Sequence, residues 1–175
     1  MEPQFSIIIG QTLNSVIEGV RSPEDLRHFK RVASYTPCGR PNLLICGRKT
    51  FESMPDLRSE TRQVCVLTRT VPSTTTSGHH CFSSVAAILQ YCANHRQEYY
   101  KLFVIGGAEI YAEFERNINE IFQTVFDTTI DTPNAVKYAV NTSAFMLVQE
   151  YAKNVTLNGA PVCAHFKHWT REQCN

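Results

Sequence analysis

No stretch of this chain approaches the ~20 consecutive apolar residues of a membrane-spanning helix, which sets aside a helical membrane protein. Net charge is nearly absent, +1 over 175 residues with histidine neutral. The chain thus lacks the basic excess that draws proteins to nucleic acid or anionic lipid, and neither partner is expected. Charged residues make up only 19%, against 43% hydrophobic, a balance that excludes a disordered chain. The seven cysteines include no CxxC pair and no metal-ligand spacing, so no metal is expected. They read as reduced thiols of a cytoplasmic protein, with Cys46, Cys65 and Cys163 inside apolar runs. The opening MEPQFSIIIG has an acid and no base ahead of its apolar run, unlike a secretion signal. No repeat, linker or compositional break divides residues 1–175, so one domain with a sizeable core is expected.

What the sequence does have is a recurring junction, in which a short apolar run meets glycine and then a helix. Its plainest form is KLFVIGGAEIYAEF at 101–114. Residues 102–105 have the length of a buried strand, Gly106-Gly107 end it, and Ile110, Tyr111 and Phe114 follow at helical spacing. Such a junction leaves backbone N–H groups at a helix start with no Cβ in the way, which suits a polar or anionic ligand. A tight turn without ligand is the competing reading of two glycines. Residues 42–46 end at Gly47-Arg48-Lys49-Thr50, before a helix through Phe51 and Met54. Cations are unfavourable at a helix start, so two of them there point to exposure or to an anion. Residues 63–67 end at Thr68-Arg69-Thr70, and residues 5–9 end at Gly10.

Ser22-Pro23-Glu24-Asp25 is a helix start, with Ser22 as cap, proline at the first position and acids in the first turn. Leu26, Phe29, Val32 and Ala33 make its apolar stripe. Asp25 lies on the side of that stripe; a solvated acid favouring the helix dipole is the alternative. Segments 11–19, 35–41, 56–61 and 72–80 read as polar loops, and His79-His80, lacking companion ligands, as solvated. Ser83-Ser84 caps a helix over 85–92, and Met54-Pro55 closes the one before it. Residues 120–130 alternate weakly as a strand. Two longer strands, 145–151 and 162–169, are joined by a turn at Asn158-Gly159. Strand–helix alternation followed by a hairpin predicts an α/β fold, a mostly parallel sheet with an antiparallel C-terminal edge strand and flanking helices. Ligands of such sheets sit outside the C-terminal strand ends, where Gly10, Gly47, Thr68-Arg69 and Gly106-Gly107 would all open.

In order along the chain, SIIIG, PEDLRHFK, LLICGRKTFESMP, RQVCVLTR and FVIGGAEIYAEF cover nearly its whole length. Together they resemble dihydrofolate reductase, and GRKTFESMP with VIGGAEIY at this spacing is specific. The resemblance implies hydride transfer from NADPH to dihydrofolate, giving tetrahydrofolate, by a monomeric enzyme. It implies that Asp25 is the acid of the pterin pocket, bonded to the ring and assisting its protonation, with Thr124 supporting it. Leu26, Phe29 and Met54 would line the pocket, Ile8 and Ile105 would offer carbonyls, Ile9 and Tyr111 would join them, and Arg62 would pair the substrate's glutamate carboxylate. Gly10 and Ile17 would contact the nicotinamide, and Gly47, Arg48, Lys49 and Thr50 the phosphates. Leu67, Thr68 and Arg69 would extend that side, with Arg48 and Arg69 candidates for the 2′-phosphate. Gly106, Gly107, Ala108, Glu109 and Ile110 would pack against the diphosphate and nicotinamide, with a cis Gly-Gly peptide.

The chain also departs from the family. The lid between the first strand and the acidic helix is shortened, Glu18 replaces a glycine, and the lid tryptophan is missing, since the single tryptophan is Trp169. The usual Gly-Asp-Thr that pairs with the lid is absent around Asp131-Thr132-Pro133. A slow or open-site reductase is expected, because lids exclude water and set turnover. Two rival readings stand beside it: a non-catalytic cofactor-binding relic or structural subunit, and a pyrimidine reductase of riboflavin synthesis, which shares the fold.

Overall fold

The computed structural model describes residues 3–54, 56–69 and 79–172. In chain order its elements are β1 (Phe5–Thr12), α1 (Pro23–Ser34), β2 (Asn42–Gly47), α2 (Arg48–Ser53), β3 (Arg62–Leu67) and β4 (His79–Phe82), then α3 (Val85–His95), β5 (Leu102–Gly106), α4 (Ala108–Phe114), β6 (Ile118–Phe126), β7 (Phe145–Leu157) and β8 (Ala160–Arg171). Two compact units interleave along the chain, one of Met1–Phe5 with Arg31–Asn117, the other of Ser6–Lys30 with Ile118–Asn175. No compositional break marks these crossings, and the sequence shows none.

The Arg31–Asn117 unit is an α/β layer of strands in the order β4-β3-β2-β5, all neighbours parallel. Leu43, Leu44, Ile45, Cys46, Val64, Cys65 and Val104 are fully buried, as expected of strands covered on both faces. Register aligns the strand ends: Gly47 lies beside Leu67, Cys46 beside Gly106, and Leu67 beside Phe82. Asn42, fully buried, is completely used. Its amide donates to the carbonyls of Ala33 (2.8 Å) and Tyr35 (3.0 Å), and its oxygen accepts from Lys101 N (3.0 Å). Ser84 caps α3 by accepting from Ala87 N at 3.1 Å, as expected, though the helix runs to His95 rather than 92.

One expectation fails in this unit. His79-His80 is no solvated loop end but the start of β4, which pairs with β3 from Val64 to Leu67. Both imidazoles are half-buried. His79 meets the Phe51 ring at 4.6 Å, and His80 Nε2 bonds the Tyr91 hydroxyl at 3.1 Å. Imidazole has an aromatic body as well as polar nitrogens, so it can pack in a sheet where periodicity counts it as polar. Residues 72–78 of that loop, together with Pro55 and Thr70, lie outside the described residues.

The other unit carries β1-β6-β8-β7, with β8 antiparallel to both its neighbours. Asn158 (φ 50°) and Gly159 (φ 82°) make the two-residue turn, closed by the pair Leu157 and Ala160. Positive φ at both positions is what the right-handed twist of a tight hairpin demands. The turn is where the sequence puts it, but the strands continue into it, so β7 is 13 residues long instead of ending at 151. Phe126, Val155, Leu157, Ala164 and Phe166 form the core cluster, with Val20 and Val162 against it. β1 likewise passes through Gly10 to Thr12. Glycine there does not end the strand; it makes room for α1.

The segment expected to be a free polar loop is fastened. Leu13 N donates to Thr128 O (2.9 Å), Ile17 N to Val136 O (3.0 Å) and Tyr138 N to Ser15 O (3.0 Å). Asn14 exchanges bonds with Ile130, 2.9 Å to its carbonyl and 3.2 Å from its N–H. Farther along, Asn158 Nδ2 donates to Gly19 O (2.8 Å), and Arg21 N donates to Asn158 Oδ1 (2.9 Å). The segment thus keeps partners in 128–138 although the usual Gly-Asp-Thr is absent.

Candidate active site

Asp25 enters its position through the start of α1. Ser22 Oγ accepts from Asp25 N at 3.3 Å and Ser22 O from Leu26 N at 2.9 Å, which aligns the first turn. Thr124 on β6 is buried, and its hydroxyl donates to Asp25 Oδ1 at 2.7 Å. The second oxygen, Oδ2, lies over Gly10, where a Cβ would stand only 2.7 Å away. Burial pushes the Asp25 carboxyl from 3.8 up to about 6; the Thr124 hydroxyl opposes the rise, and no neighbouring charge contributes. The sequence expectation of a carboxyl on the apolar side of α1 therefore holds. Ile8 and Ile9 are buried in β1, Phe29 and Ile17 are half-buried, and Leu26 leaves 45% of its surface exposed. Phe126, which sequence reasoning passed over, touches the Gly10 position at 3.6 Å. Its place on a weakly alternating strand gave no signal.

In the Arg31–Asn117 unit, three expected junctions meet at one rim. Gly47 precedes α2 with φ −79° and ψ 165°, and Gly107 precedes α4 with φ −84° and ψ −150°; neither helix start has a side-chain cap. A Cβ on Gly47 would stand 3.4 Å from Ile110 Cγ1, and one on Gly107 would stand 3.7 Å from Thr50 Oγ1. Each turn thus packs against the helix of the other, and no side chain caps the first N–H groups of either helix. The Gly106–Gly107 peptide is cis, as the resemblance implies. Gly106 has φ +114°, and the Tyr111 hydroxyl lies 3.2 Å from its Cβ position. Thr68 N donates to Phe82 O at 2.8 Å, with Leu67 before it and exposed Arg69 after it. Lys49 and Glu109 are exposed, Ala108 is half-buried, and Arg48 pairs loosely with Glu52 at 3.6 Å. Ile105 is buried and Met54 half-buried at the end of α2.

Arg62 is held by the chain itself. Nε donates to Leu57 O (2.7 Å), Nη2 to Asp56 O (2.9 Å), and Nη1 to Ser34 Oγ. Three of its five N–H groups are used, leaving one on each terminal nitrogen, the fork that fits a carboxylate. Ser34, Asp56 and Leu57 were invisible as a set in the sequence, because the contact joins the end of α1, the connection after α2 and the start of β3. Among the described residues no group of three or more histidine, cysteine or acidic side chains could hold a metal. No helix among them is long and apolar enough to cross a membrane.

This architecture is that of the dihydrofolate reductases. A solved dihydrofolate reductase from Enterococcus faecalis, complexed with NADP(H) and RAB-propyl, superposes with a TM-score of 0.74 over 97% of each chain at 24% identity. The sequence makes the assignment specific: the family model described as dihydrofolate reductase matches residues 5–171, and the chain belongs to that family. It is 33% identical over 105 residues to dihydrofolate reductase type 9 of Escherichia coli, covering 58% of this chain and 55% of that protein. It is 28% identical over 102 residues to the dihydrofolate reductase of Bacillus subtilis strain 168, covering 58% and 54%. The match thus spans about half the length of each of these two relatives.

Proposed function

We propose that the chain, as a single dihydrofolate reductase-like domain and a cytoplasmic monomer, reduces 7,8-dihydrofolate to 5,6,7,8-tetrahydrofolate with NADPH. The observation that carries the reading is Asp25, a half-buried carboxyl held by Thr124, its acidity weakened by desolvation toward about 6. A carboxyl so placed keeps a proton within reach of neutral pH, and Oδ2 can deliver its hydrogen bond to the pterin ring and assist protonation of the ring nitrogen. At pH 7 roughly a tenth of the molecules would carry that proton, from a pKa of about 6. Ile8 and Ile105 would hold the pterin amine through their carbonyls, with Ile9, Leu26, Phe29, Met54 and Tyr111 against the rings. Arg62, already oriented by three protein contacts, would pair the glutamate carboxylate.

NADPH, when bound, supplies the hydride. The turns at Gly47 and Gly106-Gly107, uncapped by any side chain, fit its diphosphate, because helix-start N–H groups favour an anion and the positive φ of Gly106 is a glycine conformation. Arg48, Lys49, Thr50, Leu67, Thr68 and Arg69 would continue that wall, with Arg48 and Arg69 taking the 2′-phosphate. The Arg48–Glu52 pair is exposed and weak, so an incoming phosphate can displace it. Gly10 and Ile17 would contact the nicotinamide. The six cysteines among the described residues are free, which suits a reducing compartment. Short and fastened, the 12–22 segment supports a slower, more open reductase than one with a closing lid.

The test is to mix purified chain with NADPH and dihydrofolate and follow cofactor absorbance, with Asp25→Asn alongside. Steady oxidation that falls about 10²-fold or more in the variant is expected. Bound NADPH without oxidation would identify a cofactor-binding relic instead. Turnover unchanged by Asp25→Asn would remove Asp25 from its role.

A further inference from the structure

Apart from the residues of the candidate active site, the hairpin of β7 and β8 gathers a second group of reactive side chains. Cys163 Sγ lies 3.8 Å from His165 Nε2, and His165 Nδ1 lies 3.4 Å from Glu150 Oε1. Strand alternation explains the grouping. Cys163 and His165 are two apart on β8 and share a face, and Glu150 sits on β7 two residues from Ala152, the partner of His165. The order is that of a nucleophile, a base and an orienting acid. Glu150 stands at ion-pair distance from Nδ1, which favours the ring proton there and leaves Nε2 as the nitrogen that faces the thiol. The site is reachable, since His165 and Glu150 side chains are 35% and 38% exposed and Cys163 is partly exposed. Asp127, just past β6, whose N–H donates to Cys163 O, and Lys167 and Arg171 of β8 are the other charged residues on this side of the two strands.

We propose that Cys163 is a base-assisted nucleophilic thiol that undergoes exchange with small disulfides. His165 Nε2 takes the thiol proton as Sγ attacks one sulfur of R–S–S–R, and the R–S–S–R bond breaks. The leaving sulfur recovers the proton from His165. Cys163 ends as the mixed disulfide and one equivalent of R–SH is released, so the small disulfide is the oxidant and the balance closes. Glu150 acts through His165 by fixing its tautomer and ring orientation, and is a positioning residue. The other thiols differ. Cys46, Cys65 and Cys92 are buried, with burial pushing each thiol upward, to about 12 for Cys46 and Cys92. Cys38 is exposed, and hydrogen bonds from the Arg40 backbone and side chain hold its thiol below the ordinary value without an imidazole beside it, while Cys81 on β4 is half-buried.

The experiment incubates the full chain with oxidised glutathione and maps mixed disulfides by peptide mass against time. Cys38 serves as the internal reference, and the buried Cys46, Cys65 and Cys92 stay unlabelled in any variant that keeps its fold. Cys163 labelling is expected in the native chain. Relative to Cys38, it should slow about tenfold or more in His165→Ala and be restored by added imidazole. Glu150→Gln should slow it less, and Glu150→Asp should recover part of the loss. No adduct on Cys163, or a Cys163-to-Cys38 ratio unchanged in both His165→Ala and Glu150→Gln, overturns the proposal. So does a slowed His165→Ala that imidazole does not restore while the buried thiols remain protected.

Discussion

Asp25 carries opposite signs for stability and for activity. Its folded value, about 6, lies above its ordinary 3.8, so between those limits the folded chain holds a proton that the unfolded chain has released. The contribution to stability is complete below about pH 4 and is lost as pH rises to about 6, leaving a half-buried carboxylate that lowers stability by about 2–3 kcal/mol at neutral pH. Asp25→Asn is therefore expected to raise the urea midpoint at about pH 7 and to leave it unchanged at about pH 4. Gly10 lies against the same carboxyl. A methyl group there would stand 2.7 Å from Oδ2, a distance real Cβ contacts do not reach. Gly10→Ala should cost about 1–3 kcal/mol in denaturant unfolding, and turnover should drop because the carboxyl must move. The identity of the acid was half legible in the chain. Its place beside Leu26 and Phe29 set it on the apolar side of the helix, but its burial and its Thr124 partner, 99 residues away, are tertiary facts.

The hairpin turn shows how far one element can reach. Asn158 supplies positive φ, and its side chain also ties down Gly19 O and Arg21 N. Asn158→Ala is expected to lose about 1–3 kcal/mol and to speed amide exchange at Arg21, whereas a purely local turn would change only residues 157–160. Elements were readable where four apolar residues ran together, as in β2 and β5, because strands buried on both faces need that composition. Gly10 misled, since glycine usually punctuates and here it fills a contact. β4 was hidden by its two histidines. The fastening of residues 12–22 could not be read at all, because Asn14 and Ile130 meet across 116 positions and neither belongs to a motif.

At the scale of the whole chain, two pH effects coincide. The sequence pI is about 7.6, so net charge vanishes close to working pH. Solubility is expected to be lowest near there, measurable by precipitation across buffers at fixed ionic strength. Over the same range the protonated fraction of Asp25 falls, so the rate of hydride transfer in single-turnover experiments should drop about tenfold per pH unit above 6. The interleaving of the two units has a consequence for how the protein comes into being. Synthesis proceeds from the N-terminus, and Arg31–Asn117 is finished as one continuous length. Ser6–Lys30 is made before that length yet belongs with Ile118–Asn175, which is made after it. Arg21 must wait for Asn158, Glu24 for Thr156, and Asp25 for Thr124, so the acid of the proposed site acquires its setting only after Arg31–Asn117 has been made.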